Sequence, residues 1–366
     1  MNYMNLSGGT EMHQLFTSVS TIALLTASEA LSADASDAQV RNLENRVSAL
    51  EQRKGASSMI NPSGRPEVKD GADMFFTADL LIWQAHENGL PYVIKNKGAD
   101  LSDSSTKEMH YHWEPGVRLG IGLNTPHDGW DLHAHWTYFH SKAQGHTHAG
   151  NDVLYPTLAK PSPVINSSPG VPSSARSKLT FNLNMIDLEL GREFFVSKWL
   201  TLRPFIGPQT TWIYQDLNVR YKGYEEGNYR VNIANDYWGI GLRPGLNSQW
   251  GLGCGFSIFG NTALSLLYGF FEVDQKQGTA TTTYVDNKHS TRVGRAIAEI
   301  QLGLRWERMF ADDRCHFSVQ AGWENLMFFG QNQFDRLIHP VNSGIVIANQ
   351  GDLTIQGYTL SFRLDF

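Results

Sequence analysis

Histidines are concentrated in one stretch of the chain. Of the thirteen histidines, eight lie between residues 110 and 148: His110, His112, His127, His133, His135, His140, His146 and His148. A strand would place His133 and His135 on one face, where both imidazoles could bind one metal ion with Asp131 as third ligand. Alternatively, the histidines only line a polar, solvated wall of the barrel. A further alternative is that their partial protonation makes the lumen more cationic in acidic surroundings. We therefore assign no metal and no cofactor from the sequence.

The histidine pair belongs to an alternating segment, "WDLHAHWTY" (130–138). The same two-residue period recurs from residue 74 to the end of the chain, without a helical period. This pattern predicts ten strands, with twelve as the alternative count. The strands are expected near 74–85, 113–124, 129–142, 178–194, 199–216, 229–248, 257–273, 291–308, 315–329 and 351–366.

Three features favour a membrane barrel over a soluble β-sandwich, which also alternates. The apolar face is uninterrupted over about ten residues, which is the span of a tilted strand in a bilayer. Tryptophans lie beside short turns, as in an interfacial girdle. Short connections alternate with long polar ones: 125–129, 195–199 and 310–314 are short, 250–261 is a longer turn, and 86–112, 143–177, 217–228, 274–290 and 330–350 are long. The predicted fold is all-β, a transmembrane antiparallel up-and-down barrel.

The last nine residues, "YTLSFRLDF", continue the alternation to the end of the sequence. A strand there can pair with the first strand near residue 74, which closes the barrel and leaves no unpaired edge in lipid. The pattern also resembles the C-terminal signal read by the outer-membrane insertion machinery. Its apolar positions are Tyr358, Leu360, Phe362, Leu364 and Phe366. The expected partners are therefore outer-membrane lipid and that machinery.

The N-terminal part differs from the barrel. Residues 1–33 contain an apolar centre and end in small residues, which is typical of an export signal, although residues 1–14 lack Lys and Arg. Residues 34–70 carry apolar residues at three–four spacing, followed by a Gly/Pro/Ser-rich linker. This predicts a short coiled coil or a lone amphipathic helix. The barrel domain then covers residues 71–366.

Polar residues on the inner strand faces are candidates for the lumen. Alternation points the following side chains inward: Arg118, Asp131, His133, His135, Asp187, Glu189, Arg203, Arg243, Glu299, Arg305 and Glu307. If these charges pair across strands they brace or plug the interior, and if they segregate they line a pore. Between "TFNLNM" and "IDLEL" the apolar residues change face, which predicts a β-bulge near Met185.

Several function classes are disfavoured. The chain has a formal net charge of −6 and no Lys/Arg run, which argues against nucleic acid as a partner. Asp131 and His133 could form a hydrolytic dyad, but they follow a short turn on the periplasmic side, and no GxSxG motif is present. We expect no enzymatic activity and no catalytic residue.

The chain has only two cysteines, Cys254 and Cys315. Both map to the periplasmic rim, which is oxidising. A disulfide, within or between chains, and two unpaired thiols are both open at this stage.

Four stretches resemble one protein family: "FFTADLLIWQAHENGL" (75–90), "WEPGVRLGIGLNTPHDGWDLHAHWTYFHSKA" (113–143), "IDLELGREFFVSKWLTLRPFIG" (186–207) and "GCGFSIFGNTALSLLYG" (253–269). They are similar to the Legionella-type major outer membrane proteins, pore-forming proteins also found in Chlamydia-related intracellular bacteria. One departure is "GPQTTW" (207–212), where Leu-Arg would be expected in place of Pro208-Gln209. The resemblance implies an outer-membrane barrel, porin-like or adhesin-like, that forms oligomers, and it brings no catalytic residues.

Two functions follow as hypotheses. The first is an outer-membrane porin-like protein for small hydrophilic solutes or ions, for which a homotrimer is one assembly that fits. The second is a structural, adhesin-type barrel with a plugged lumen, whose outer loops contact a host or neighbouring surface.

Overall fold

The computed structural model describes residues 61–69, 71–97, 103–125, 128–159, 171–224, 227–337, 346–348 and 351–366. These residues form one antiparallel barrel of ten long strands. The strands are β1 (Met74–Glu87), β2 (Glu114–Asn124), β3 (Trp130–His148), β4 (Ser174–Arg192), β5 (Leu200–Tyr224), β6 (Gly227–Gly253), β7 (Phe256–Gly278), β8 (Thr283–Phe310), β9 (Cys315–Phe328) and β10 (Leu353–Asp365). The count of ten is confirmed, and the alternative of twelve is wrong.

The barrel closes between its first and last strands. β1 pairs with β2 on one side and with β10 on the other, from Phe75↔Asp365 to Glu87↔Leu353. At the end of the seam, the Phe366 N–H donates to the Met74 carbonyl at 3.0 Å, and the Met74 N–H donates to the Phe366 carbonyl at 3.2 Å. The closure predicted from the C-terminal alternation is confirmed. We call the end that holds Met74, Phe366 and the turns at 125–129, 254–255 and 311–314 the inner rim, which outer-membrane barrels place in the periplasm.

Several connections are shorter than predicted. The expected long loops 217–228 and 274–290 are wrong, because β5 to β8 run on until only residues 225–226 and 279–282 separate them. The expected longer turn at 250–261 is also wrong, since β6 ends at Gly253 and β7 begins at Phe256. These strands project beyond the lipid-facing region. On β5 and β6 the outward residues become polar there, while inward residues such as Leu217 and Val231 stay apolar. On β7 and β8 some inward residues are polar as well, among them Gln275 and its partner Asn287. The outward pattern therefore no longer signals a membrane strand.

The bulge predicted near Met185 is wrong as well. β4 pairs residue by residue with β3 from Arg192 to Ser174 without a register shift. Phe181, Leu183 and Met185 point into the barrel, whereas Ile186, Leu188 and Leu190 point to lipid. The apolar residues change face because the environment changes: the lumen is apolar in the outer half and polar in the inner half.

The lipid face is an apolar belt. Its exposed side chains include Leu80 and Ile82 on β1, Leu266 on β7 and Leu302 on β8. Above the Ile82↔Tyr358 pair, the outward residues of β1 and β10 become polar, beginning with Gln84↔Gln356. The belt therefore ends at the Ile82–Tyr358 level on these strands.

Short elements cover the two rims. At the outer rim, strands Val93–Asn96, Ser104–Lys107 and Val153–Pro156 form a three-stranded sheet, and Asp335–Leu337 pairs with Val346–Ala348. His110–Tyr111 pairs with β3, and at the inner rim Phe194–Phe195 pairs with β5. Residues 61–69 lie against the inner turns, where the Lys69 ammonium contacts the Asp313 carboxylate at 2.8 Å. The predicted export signal and the predicted coiled coil lie outside the described residues.

Among the described residues no helix has the length and apolarity needed to cross a membrane.

Candidate functional site in the barrel lumen

The inner half of the lumen contains a polar chamber with a cavity of about 200 Å³. Its walls carry charged side chains of β1 to β6 and β8 to β10, and they reach the inner-rim residues Glu193, Thr201 and Arg363. Strand alternation alone directs these side chains inward. All eleven predicted lumen residues have this inward parity, and nine of them line the cavity itself; Asp131 and Glu307 lie behind their partners.

Arg203 and Arg243 form one cluster of buried ion pairs. Arg203 donates to Asp131, with Nε 2.9 Å from Oδ2, and from Nη1 to Glu189 Oε2 at 2.8 Å. Arg243 donates to the other oxygen of Glu189 at 2.6 Å and to Glu299 at 2.7 Å. Glu189 is therefore held between two guanidinium groups on neighbouring strands. The charges are paired across the lumen rather than segregated.

Arg118 forms a second cluster at the seam of the barrel. Its Nη2 donates to Glu324 Oε1 at 2.7 Å, and its Nη1 donates to Asp79 Oδ2 at 3.1 Å. The second Glu324 oxygen accepts from the Thr359 hydroxyl at 2.8 Å, and that hydroxyl accepts from the Trp83 indole at 3.1 Å. This network links β1, β2, β9 and β10, so polar contacts reinforce the closure made by the backbone.

A third cluster lies at the inner rim. Arg305 contacts Glu307 at 2.7 Å, and Gln249 donates to the same carboxylate at 3.0 Å. His316 Nδ1 lies 2.8 Å from Asp365 Oδ2, and Arg363 Nη2 lies 2.6 Å from Asp365 Oδ1. Of the two predicted residues in this cluster, Arg305 lines the cavity where it approaches the inner rim, whereas Glu307 does not line it.

The two histidines face the chamber with a different third partner from the one expected. Arg203 binds Asp131, and Asp131 is not among the ligand atoms grouped around His133 and His135, so the structure does not support Asp131 as the possible third ligand. Glu189 of β4 takes that place: one nitrogen of each histidine and one Glu189 oxygen all lie within 4.8 Å of one another. The cross-strand pair His133↔Glu189 brings them together, a relationship that spacing within β3 could not reveal.

An apolar layer closes the lumen above the chamber. Nine of the ten strands, all but β2, contribute buried apolar residues that pack together, among them Trp83, Phe139, Phe181, Phe271 and Leu326. Trp83 and Phe139 are fully buried, with ring centroids 5.6 Å apart. A second apolar cluster lies further out, where Leu217 and Tyr221 of the wall pack with Val93 and Leu154 of the outer sheet. These layers were not predicted from the sequence, although the inward apolar residues Phe181, Leu183 and Met185 of "TFNLNM" belong to the first of them.

One buried carboxyl lies above this apolar layer. Glu87, the last residue of β1, is 2% exposed and accepts from the Gln215 amide, while its other oxygen has no partner among the described residues. It lies five residues outward of Ile82, beyond the lipid belt. Burial raises the pKa of Glu87 to about 8, against which the Gln215 hydrogen bond acts only in part.

The two cysteines are free thiols. Cys254 lies in the β6–β7 turn and Cys315 begins β9, so β7 and β8 intervene. Cys254 lies two residues before Phe256, which pairs with Trp306 of β8, whereas Cys315 pairs with Phe310 of the same strand. Two inter-strand spacings and the offset along β8 from Trp306 to Phe310 therefore separate the two cysteines. Their Cα atoms lie well beyond the roughly 7 Å limit for a disulfide. Of the alternatives left open by the sequence, this geometry excludes a disulfide between Cys254 and Cys315 within one chain.

The barrel domain matches a known protein family. The sequence model described as the Legionella pneumophila major outer membrane protein precursor matches residues 65–366. This chain belongs to that family. The resemblance drawn from the sequence is confirmed, and the protein is located in the bacterial outer membrane.

Solved structures are similar only at a distance. The outer membrane protease OmpT from Escherichia coli is 10% identical with a TM-score of 0.42, covering 82% of this chain and 99% of its own. The Pseudomonas putida toluene transporter TodX is 9% identical with a TM-score of 0.31, covering 84% and 93%. A Pseudomonas aeruginosa FadL homologue is 7% identical with a TM-score of 0.25, covering 80% and 89%. No curated protein sequence matches the chain.

Proposed function

We propose that this family member is a structural surface barrel whose lumen is closed in the conformation described here. The observation that carries the proposal is the apolar layer above the charged chamber. Its buried side chains come from nine strands, are at most 3% exposed, and pack against one another across the lumen. Ions and small hydrophilic solutes would have to cross this layer without water, which is costly for any polar group.

The charged chamber supports the same proposal. Its arginines and carboxylates are paired across strands at hydrogen-bonding distance, as at Arg243–Glu299, rather than separated along the wall. Charge pairs of this kind brace an interior, whereas a conducting pore keeps its charged groups facing water. A barrel of about ten strands is also narrow enough for side chains to fill it.

Conductance in planar bilayers tests the proposal. The mature chain is purified in detergent, and heat-modifiable gel mobility verifies that it is a folded barrel. We expect the folded wild type to stay silent. Reproducible open-channel steps from wild-type protein would contradict a closed lumen.

Two variants distinguish a closed barrel from a protein that has failed to insert into the bilayer. Phe139 and Phe181 lie in the apolar layer with ring centroids 6.2 Å apart, so Phe139→Ser with Phe181→Ser would hydrate the layer and is expected to produce current steps. Phe256→Ser alters an aromatic that is exposed at the inner rim and is expected to remain silent. If the double variant inserts and stays silent, this layer is not the only barrier among the described residues, and the second apolar cluster around Leu217 and Tyr221 must be altered as well.

A porin-like function is the second candidate, and one observation favours it. The polar chamber of about 200 Å³ reaches toward the inner rim and could form half of a diffusion path. This candidate requires the apolar layer to move, and it predicts wild-type steps whose ion selectivity changes in Arg203→Gln or Glu299→Gln. The bilayer recording above therefore separates the two candidates.

The partners we propose follow from the surface. The apolar belt would contact outer-membrane lipid, and the alternating C-terminal residues that pair with β1 would be read by the insertion machinery before closure. The outer sheet around Val153–Pro156 would be the surface presented to a host or neighbouring molecule. A homotrimer remains a proposal, tested by the mass of the detergent-solubilised barrel.

A further inference from the structure

We propose that His133, His135 and Glu189 form a site for one divalent transition-metal ion, with Zn²⁺ as the probe. Two imidazoles and one carboxylate with an open fourth position are a ligand set that Zn²⁺ accepts in proteins. The three ligand atoms lie within 4.8 Å of one another on the paired strands β3 and β4. Small side-chain rotations would bring them to a metal ion at the centre, because rigid barrel strands carry all three.

A buried nitrogen without a partner points to a ligand here. The His135 side chain is 8% exposed, and its Nδ1 atom has no hydrogen-bond partner among the described residues. Its other nitrogen, Nε2, lies 3.0 Å from Asp187 Oδ2. A buried ring nitrogen left unpaired carries a desolvation cost that a metal ion would remove.

The outer partners of both histidines match those of metal-binding imidazoles. Such imidazoles present one nitrogen to the ion and donate the other N–H to a carboxylate or similar oxygen. His133 Nε2 lies 3.2 Å from the Thr77 hydroxyl, and Asp187 Oδ2 lies within reach of His135 Nε2, although these two atoms are not aligned as a hydrogen bond. The remaining nitrogen of His133, Nδ1, lies 3.9 Å from Glu189 Oε2. We therefore assign Nδ1 of both histidines as the ligand atoms.

The charge of the chamber also favours a cation. The wall of the cavity carries six carboxylates, on Asp79, Asp187, Glu189, Glu193, Glu299 and Glu324. Five guanidinium groups face them, on Arg118, Arg203, Arg243, Arg305 and Arg363, so one formal negative charge remains with neutral histidines, and Asp131 beside Arg203 adds a second. The arginines occupy one lone-pair direction on each Glu189 oxygen, and a carboxylate oxygen has a second.

The route to the site lies on the periplasmic side. The cavity that both histidines line extends to Thr201 and Arg363 near the inner rim. The apolar layer lies on the opposite side of the chamber. Metal binding is thus independent of whether the lumen conducts, and it goes beyond the proposed function.

Calorimetric titration of the tag-free folded barrel with Zn²⁺ tests the site. His146 and His148 form a second, exposed pair on the outer face of β3, with ring centroids 4.2 Å apart, so the titration is made in the His146→Ala, His148→Ala background. We expect one Zn²⁺ per chain there. Adding His133→Ala or His135→Ala is expected to weaken binding at least tenfold, and Asp187→Asn roughly 10–100-fold.

Matched controls separate a site from a folding defect. His140→Ala removes an outward histidine of the same strand, bonded to Asn182, and is expected to leave binding unchanged. Heat-modifiable mobility verifies that every variant is folded, and a visible Co²⁺ ligand-field band should appear in the background protein and vanish in His135→Ala. A folded background protein that binds no Zn²⁺, or one whose binding survives His133→Ala and His135→Ala, would overturn the proposal.

Discussion

Arg118 on β2 donates to Glu324 on β9 at 2.7 Å, across the two terminal strands that close the barrel. The pair is 206 residues apart in the chain, and both side chains are largely buried, at 15% and 6% exposure. It spans the one seam that no turn connects. The ion pair therefore fastens the barrel where the chain itself offers no covalent link.

Removing one partner of this pair should destabilise the barrel strongly. Glu324→Gln leaves the Arg118 guanidinium with Asp79 as its remaining charged partner, and Arg118→Ala leaves two carboxylates facing each other. We expect a loss of about 3–5 kcal/mol in the free energy of unfolding for Arg118→Ala, measured by urea unfolding in lipid vesicles. Lys288→Ala removes the exposed pair with Glu272 and should cause no measurable change. If Arg118→Ala and Lys288→Ala lowered the free energy of unfolding equally, the seam pair would contribute no more than an exposed ion pair.

Glu87 should make the stability of the outer end depend on pH. Its pKa is raised to about 8 in the folded protein, so the folded state binds the proton more tightly than the unfolded chain. The stabilisation is then complete below the ordinary glutamate pKa of about 4.5 and is lost as pH rises through about 8. Denaturant midpoints at pH 5 and pH 9 should differ more in wild type than in Glu87→Gln.

Glu272, whose carboxylate is exposed to solvent, provides the control for this pH dependence. Glu272→Gln alters an exposed side chain on β7 and should keep the wild-type difference between pH 5 and pH 9. At pH 9, Glu87→Gln should also be more stable than wild type, because it removes a buried charge. A Glu87→Gln variant with unchanged pH dependence would mean that this carboxyl stays protonated or hydrated throughout.

Gly207 should not tolerate a side chain. A Cβ at this position would lie 1.6 Å from the Leu188 carbonyl oxygen of β4, which is backbone and cannot rotate away. Gly207→Ala should therefore separate β4 from β5 and cost roughly 1–3 kcal/mol of unfolding free energy. Gly294→Ala is the matched control, since no atom lies within 4 Å of its Cβ position. If Gly294→Ala lost heat-modifiable mobility and Gly207→Ala kept it, the prediction that Gly207 excludes a side chain would be contradicted.

The strand pattern was predictable because alternation is a local property. Each of the ten strands lies where the two-residue period placed it, and the terminal pairing followed from an apolar strand at each end of the barrel domain. The same parity directed Arg118, Asp187 and Arg243 inward. The wrong outer loop 217–228 and the wrong bulge near Met185 have one cause: apolar residues do not always face lipid in this barrel. Where the strands project outward, as β5 does beyond Tyr214, the apolar residues Leu217 and Val219 face the lumen instead.

The sequence by itself therefore determined the all-β class, the strand number, the closure and the inward parity of the charged residues, since all of these depend on neighbours along one strand. Only the tertiary structure decided which charges meet. It paired Asp131 with Arg203 rather than with His133, brought Glu189 to the two histidines, and joined Arg118 to Glu324. It also decided that apolar side chains from nine strands meet across the lumen. These contacts depend on inter-strand register and barrel diameter, which no single strand encodes.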